Sequence, residues 1–185
     1  MTPDTATPAA ETLQYLKQPY GALAWLINAH ATNQPERIAL DDGEERLTWG
    51  ETAALVNRIA AQLQAEGLQK GQAVSILGTT TIRYALVYLG AIAAGGSAAP
   101  LTTSATPQQL VAMMTDSGAG HLFIDHTKRA ELADSGVTLP NLKHVMMDAP
   151  DDSDGAPFLF DWMGVEGTML LEVETGPSDP YNIIY

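Results

Sequence analysis

The run from Tyr84 to Leu101, YALVYLGAIAAGGSAAPL, constrains the fold more than any other part of the chain. Leu86, Leu89, Ile92 and Ala93 recur at i, i+3, i+6 and i+7, an apolar stripe of helical period. The stripe breaks at Gly95-Gly96, because each residue without a Cβ costs a helix about 1 kcal/mol and permits positive φ. Ser97 to Leu101 then reads as a short strand of small residues ending beside a proline. Helix, glycine turn and buried strand make half of a βαβ unit. Arg83 precedes the run, and its helical part falls short of the ~20 apolar residues that a membrane span needs.

The flanking segments repeat the alternation. Upstream, Ala73 to Leu77 is a continuous apolar run ending at Gly78, which suits a parallel strand buried on both faces. Downstream, Thr106-Pro107-Gln108-Gln109 is a capping box with Pro at N1, where its missing N–H costs nothing. Leu110, Val111, Met113 and Met114 give the helix behind it a buried side, and Gly118 stops it. His121 to Ile124 is the next strand, Thr127 to Ala133 a short helix, and Lys143 to Met147 a fourth strand. The pattern predicts an α/β fold with a doubly wound, mostly parallel sheet and flanking helices.

Before this unit, Tyr20 to Asn33 carries a helical stripe, and Arg37 to Asp41 pairs with Arg46 to Thr48 as a hairpin around Asp42-Gly43. Thr48-Trp49-Gly50-Glu51 is a second capping box. The helix it opens buries Leu55, Ile59 and Leu63, leaves Asn57, Arg58, Gln62 and Glu66 on a solvated face, and closes at Gly67. Residues 1–18 read as a flexible N-terminal tail and 19–148 as the α/β subdomain. Residues 149–185 read as an acidic loop followed by incomplete strands, at Thr168 to Glu174 and Tyr181 to Tyr185. The last of these is expected to leave a sheet edge and an apolar patch exposed, favouring self-association.

Composition narrows the chemistry. Twenty-two acidic against 9 basic residues give a formal charge of −13, which argues against nucleic acid and anionic membrane surfaces as partners. There is no cysteine among the 185 residues, so disulfides and thiolate chemistry are excluded. None of His30, His121, His126 and His144 forms a metal-type i, i+4 pair. No export signal opens the chain, and a cytoplasmic location is expected.

No G-x-G-x-x-G or G-x-x-x-x-G-K-[ST] loop occurs. Gly78-Thr79-Thr80-Thr81 stands where a helix N-terminus can take an anion, and equally where threonines simply cap the helix. Ser75, Ser97 and Ser104 lack the setting of a hydrolase nucleophile. Asp125-His126 reads as a helix cap in preference to an acid–base pair. Asp151, Asp152 and Asp154 read as a solvated loop, because the glycine and closing glutamate of a Ca²⁺ loop are missing. The residues by themselves assemble no complete catalytic or metal site.

Four segments, in order, resemble one family. Arg46 to Glu51 (RLTWGE) is similar to an early L-T-Y-x-E segment, and Gly67 to Val74 (GLQKGQAV) to a G-L-x-x-G-D-x-V segment. The opening run with Thr106-Pro107 is similar to L-G-x-x-x-A-G-x-x-x-x-P followed by x-P-x-x-L. Ser178 to Tyr185 (SDPYNIIY) resembles the strand that leads into a Ser/Thr/Gly-rich phosphate loop. From about Pro19 onward the chain resembles the N-terminal portion of AMP-forming acyl-CoA synthetases of the acyl/aryl-adenylate-forming superfamily.

The resemblance implies a ligase of fatty-acid metabolism that uses ATP, Mg²⁺, a carboxylic acid and CoA, making an acyl-adenylate and then a thioester. It implies that Thr102, Thr103 and Ser104 lie near the CoA nucleotide, with Arg129, or Lys128 beside it, meeting CoA phosphates. The phosphate loop, the adenine and ribose motifs and the catalytic lysine are absent from these residues, so they are expected to be inactive alone. Fatty or aromatic acids are favoured over amino acids, since no carrier-protein feature is present. The alternative is a non-catalytic α/β regulatory or interaction module. A receiver domain is disfavoured, because acidic residues do not cluster after its first strand.

Overall fold

Strands apolar at every position must be covered on both faces, and the helices between them supply the cover. The computed structural model describes residues 10–18, 20–150 and 155–185. Its elements are α1 (Ala10–Tyr15), α2 (Leu23–Asn33), β1 (Ile38–Asp41), β2 (Arg46–Thr48), α3 (Trp49–Ala65), β3 (Ala73–Leu77) and α4 (Ile82–Ala93). There follow β4 (Ser97–Pro100), α5 (Pro107–Ser117), β5 (His121–Ile124), α6 (His126–Ser135), β6 (Lys143–Met146) and α7 (Leu159–Trp162). β1 and β2 form an antiparallel hairpin, and the other four strands form a parallel sheet in the order β4-β3-β5-β6.

Alternate strand residues feed two cores. Val74, Ile76, Phe123 and Val145 meet Val56, Ile59 and Leu63 of α3, Leu86 and Val87 of α4, and Leu159 of α7. Leu77, Leu122, Ile124 and Met146 meet Leu110 and Met114 of α5 and Leu132 of α6 on the other face. Phe123, Ile76, Leu122 and Met146 are fully buried, each stabilising the fold by about 1.5–3 kcal/mol relative to exposure.

The helix ends follow the local chemistry. Both capping boxes form, Thr48 with Glu51 and Thr106 with Gln109. α3 and α4 end alike: Gly67 N–H reaches Gln64 O at 2.9 Å and Leu68 N–H reaches Leu63 O at 3.0 Å, and Gly95 and Gly96 repeat this on Ile92 and Ala91 at 3.0 Å each. These are Schellman closures, which need a left-handed C′ residue. Gly67 and Gly95 supply it at φ +92° and +85°. Gly96 serves a different purpose, since a Cβ there would stand 2.8 Å from the carbonyl oxygen of Gln72. The glycine pair lets α4 turn and lets β4 approach β3.

Several expectations are corrected. The β3-α4-β4 crossover joins an inner strand to an edge strand. The tail lies along β4. Ala98 N–H donates to Tyr181 O and Ile183 N–H to Ala98 O, both at 2.9 Å, in an isolated parallel bridge at Asn182. Ile184 is 77% and Tyr181 63% exposed, while the Tyr185 hydroxyl reaches Met113 O and Asp116 at 3.0 Å.

Thr168 to Glu174 forms no strand; the side-chain amide of Gln64 takes both backbone groups of Leu171, at 2.9 Å each, in place of a neighbouring strand. The 149–185 region contains a helix, α7, because Leu159 and Met163 find space in the core. Within the expected tail, residues 10–15 are helical and Tyr15 stacks on Trp25 at 3.7 Å. The helix read over Thr127 to Ala133 extends from His126 to Ser135. Residues 1–9, and the acidic loop at Asp151, Asp152 and Asp154, lie outside the described residues.

Candidate functional site

In a doubly wound sheet, ligands are taken where the strand order reverses, beyond the carboxyl ends of the strands. Here that point lies between β3 and β5, since the chain runs from β3 outward to β4 and then back across to β5. Gly78 to Thr81 follows β3 and Asp125 follows β5.

The crevice is filled by the protein itself. Asp125 is buried; one of its oxygens accepts from Thr79 N–H at 2.7 Å and from the Thr79 hydroxyl at 3.2 Å. Its other oxygen caps α6 by accepting from Lys128 N–H at 2.8 Å. A Cβ at Gly78 would meet the Asp125 carboxylate at 2.8 Å, so glycine is what allows the approach. A second carboxylate, Asp42 from the hairpin loop, accepts from Ile82 N–H at 3.0 Å. That bond, with those from Glu45 and Glu44, holds the Asp42 carboxyl below its usual range. Thr81 caps α4, accepting from Tyr84 N–H.

Of the donors at this turn, the Thr79 N–H and hydroxyl and the Ile82 N–H thus already bind carboxylates. Among the described residues, no group of three or more His, Cys, Asp or Glu could hold a metal ion.

Asp125 and His126 do not act on one another. His126 turns to Asp148, its Nδ1 2.8 Å and its backbone N–H 3.1 Å from that carboxylate. Burial raises the Asp148 pKa, but these bonds outweigh it and hold the carboxyl low. Arg83 donates to Asp148 O at 3.2 Å and lies 5.7 Å from the Phe160 ring centre. The arrangement ties the start of α6 to the end of β6 and to α4.

The residues singled out for CoA divide into two groups. Thr102, Thr103 and Ser104 form an exposed turn after β4, with the Thr102 and Ser104 hydroxyls 3.0 Å apart. Lys128 reaches this turn: its Nζ donates to Thr103 O at 2.9 Å and to Glu131 at 2.6 Å. An ammonium has three donors, so the geometry leaves one for a further acceptor. Arg129 faces the other way. Its Nη1 lies 3.7 Å from Met146 sulfur, and it lines a cavity of about 170 Å³ with Leu122, Ile124, Leu132 and His144.

A second polar cluster, at the opposite end of the sheet, has no counterpart in the sequence reading. Glu66 closes α3, and its carboxylate accepts from Trp162 Nε1 at 2.7 Å, Gln62 Nε2 at 3.0 Å, His121 Nε2 at 3.0 Å and Lys143 Nζ at 2.9 Å. Burial opposes its ionisation, yet Lys143, Gln62, His121 and Trp162 outweigh that and bring the pKa down to about 2. The face read as solvated is half-covered: Asn57 bonds Asn28 at 3.0 Å and Arg58 bonds Gly164 O at 2.6 Å. The only sequence signal was an acidic residue immediately before the helix-closing glycine, where a carboxylate opposes the helix dipole.

Among the described residues, no helix is long and apolar enough to cross a membrane. The family model described as AMP-binding enzyme matches residues 27–185. Gramicidin S synthase 2 of Brevibacillus brevis is 29% identical over 114 residues, covering 62% of this chain and 3% of that protein. The long-chain-fatty-acid–CoA ligase FadD13 of Mycobacterium tuberculosis is 28% identical over 99 residues, covering 52% of this chain and 20% of that protein. The chain therefore spans a fifth or less of the length of these relatives. Coronafacic acid ligase from Pectobacterium brasiliense has the same fold over 88% of this chain and 33% of its own, with a TM-score of 0.75 at 16% identity. With the family model matched from the middle of α2 to the last residue, the chain belongs to the AMP-binding enzyme family.

Proposed function

We propose that these residues form the N-terminal α/β portion of an ATP-dependent carboxylic acid–CoA ligase, which makes an acyl-adenylate and then an acyl-CoA thioester. In this reading they contribute a CoA-side surface. The adenylate chemistry, with ATP and Mg²⁺, takes place on residues outside these 185. The observation that carries the reading is the Lys128 ammonium on the Thr103 carbonyl, which puts a cation with a remaining donor beside two hydroxyls at the carboxyl end of a parallel sheet. A CoA phosphate needs a cation and hydroxyl donors together. Lys128, more than Arg129, fills that role, because Arg129 is turned toward β6.

The test is an NMR titration of the chain with CoA. Expected are shifts confined to residues 102–104 and 126–131, and a roughly fivefold weaker affinity for Lys128→Ala, the loss of one hydrogen bond worth about 1 kcal/mol net. Shifts elsewhere, or unchanged affinity in the variant, would refute the CoA surface. The chain alone should show no ATP–pyrophosphate exchange, and measurable exchange would contradict that division of labour.

Similarity to gramicidin S synthase 2 favours a second reading, activation of an amino acid. Exchange assays on a protein extending beyond these residues, with fatty, aromatic and amino acids offered in turn, separate the two.

A further inference from the structure

His121 is 4% exposed, and its two nitrogens are unequal. Nε2 faces the Glu66 carboxylate at 3.0 Å. An ionised carboxylate only accepts, so Nε2 carries the proton. Nδ1 is buried with no hydrogen-bond partner among the described residues, which a bare nitrogen tolerates better than an N–H does. The neutral Nε2–H tautomer is therefore the one that fits.

Protonation would place an N–H on Nδ1 where nothing accepts it. It would also set a second cation against the Lys143 ammonium, which holds the same Glu66 oxygen at 2.9 Å. The titratable groups facing His121 are Glu66 from the end of α3 and Lys143 from β6. His144, also on β6, lines the adjoining cavity with Glu66 and Trp162. The remaining walls are aromatic: Trp162 at 6.4 Å in an edge arrangement and Phe123 at 6.5 Å.

These walls differ in strength. β5 is held by ladders on both sides, and α3 by its Schellman closure. The α7 wall is a four-residue helix whose backbone meets the sheet at one isolated bridge, Met146 to Phe158; the Trp162–Glu66 hydrogen bond, the Trp162 edge on Phe123 and the buried Leu159 and Met163 side chains supply the rest of its hold. Segments with few backbone hydrogen bonds open first.

We propose that the His121–Glu66–Trp162 cluster is an acid-sensitive latch: lifting of residues 158–163 parts Trp162 from Glu66 and opens the His121 pocket to water, so protonation of His121 favours the lifted form while the rest stays closed. Burial, the largest influence on His121, and the Lys143 charge both lower its pKa, and they outweigh the hydrogen bond and charge of Glu66. The closed form thus resists the proton that an open form accepts near 6.5, the ordinary histidine value. If the closed form binds no proton at pH 5.5, opening is favoured there by about tenfold relative to neutral pH.

Hydrogen exchange followed by mass spectrometry, corrected for intrinsic rates, tests this on the whole chain. From pH 7.5 to 5.5, protection at 158–163 should fall about tenfold relative to 82–93, and the difference should vanish in His121→Gln, whose amide can donate to Glu66 but does not titrate. Parallel behaviour of the two segments, or an undiminished difference in the variant, overturns the latch. Should the variant fail to fold, NMR titration of the wild-type imidazole decides. A midpoint below 6.5 with Nδ1 bare at neutral pH supports the proposal, and a midpoint at or above 6.5, or an Nδ1–H tautomer, overturns it.

Discussion

Replacing Glu66 by Gln removes one charge from a site where four donors converge. In the wild type each carboxylate oxygen takes two of them, with Gln62 and Trp162 on one and His121 and Lys143 on the other. Glutamine keeps one oxygen. If that oxygen stays on Trp162 and Gln62, the new NH₂ faces His121 Nε2–H and the Lys143 ammonium, donors against donors. The imidazole could accept at Nε2 only by moving its proton to Nδ1, which has no hydrogen-bond partner among the described residues. The carboxylate is 18% exposed and its pKa lies at about 2 against an ordinary 4.5. That displacement corresponds to about 3 kcal/mol of stability, an upper bound because one edge meets solvent.

The sign follows from the direction. A lowered acid pKa gives stability that is present in full above 4.5 and is lost as the pH falls toward 2. Glu66→Gln should therefore be less stable at pH 7 by up to about 3 kcal/mol, at most about 6–12 °C in Tm for a chain of this size, and the two proteins should converge as the pH approaches 2. Urea denaturation at a series of pH values measures this. A difference under ~1 kcal/mol at pH 7, or one that does not shrink with acid, would show that the four hydrogen bonds do not favour the ionised form.

Two further substitutions probe packing and capping. At Gly90 a Cβ would lie 2.5 Å from Ile59 Cγ2 and 2.9 Å from its Cβ, so Gly90→Ala overpacks the α3–α4 contact. The expected outcome is a net loss of about 1–2 kcal/mol by thermal or urea unfolding, since the ~1 kcal/mol gained in helix propensity offsets only part of the strain; a more stable variant would show that the helices slide apart freely. Thr106→Ala removes the acceptor for Gln109 N–H at 3.3 Å and should cost about 1 kcal/mol, with exchange protection falling in the first turn of α5; unchanged protection there would mean that Pro107 alone starts the helix.

Local sequence was sufficient for what local physics decides. The capping boxes at Thr48 and Thr106, the helix-ending glycines at 67, 95 and 118 and the apolar strands at 73–77 and 121–124 all concern neighbours within a few residues, and each formed where its pattern stood. The Tyr84–Leu101 run set the class of fold, because a helix, a glycine pair and an all-buried strand leave few ways to close a βαβ unit. The order of resembling segments pointed to the family that the AMP-binding match then showed.

Tertiary structure decided everything that depends on which distant groups meet. Asp125 could be read as a cap for α6, but the clamp on Thr79 required β3 and β5 to be neighbours. Lys128 and Thr103 are separated by α5 and β5, and only the fold brings the ammonium to that turn. Glu66 looked solvated because only Gln62, one turn back, is near it in sequence; its other three partners come from β5, β6 and a four-residue helix, α7, too short to show a period. A carboxylate's environment is a sum over space, and sequence spacing reports only the part of that sum that lies along the chain.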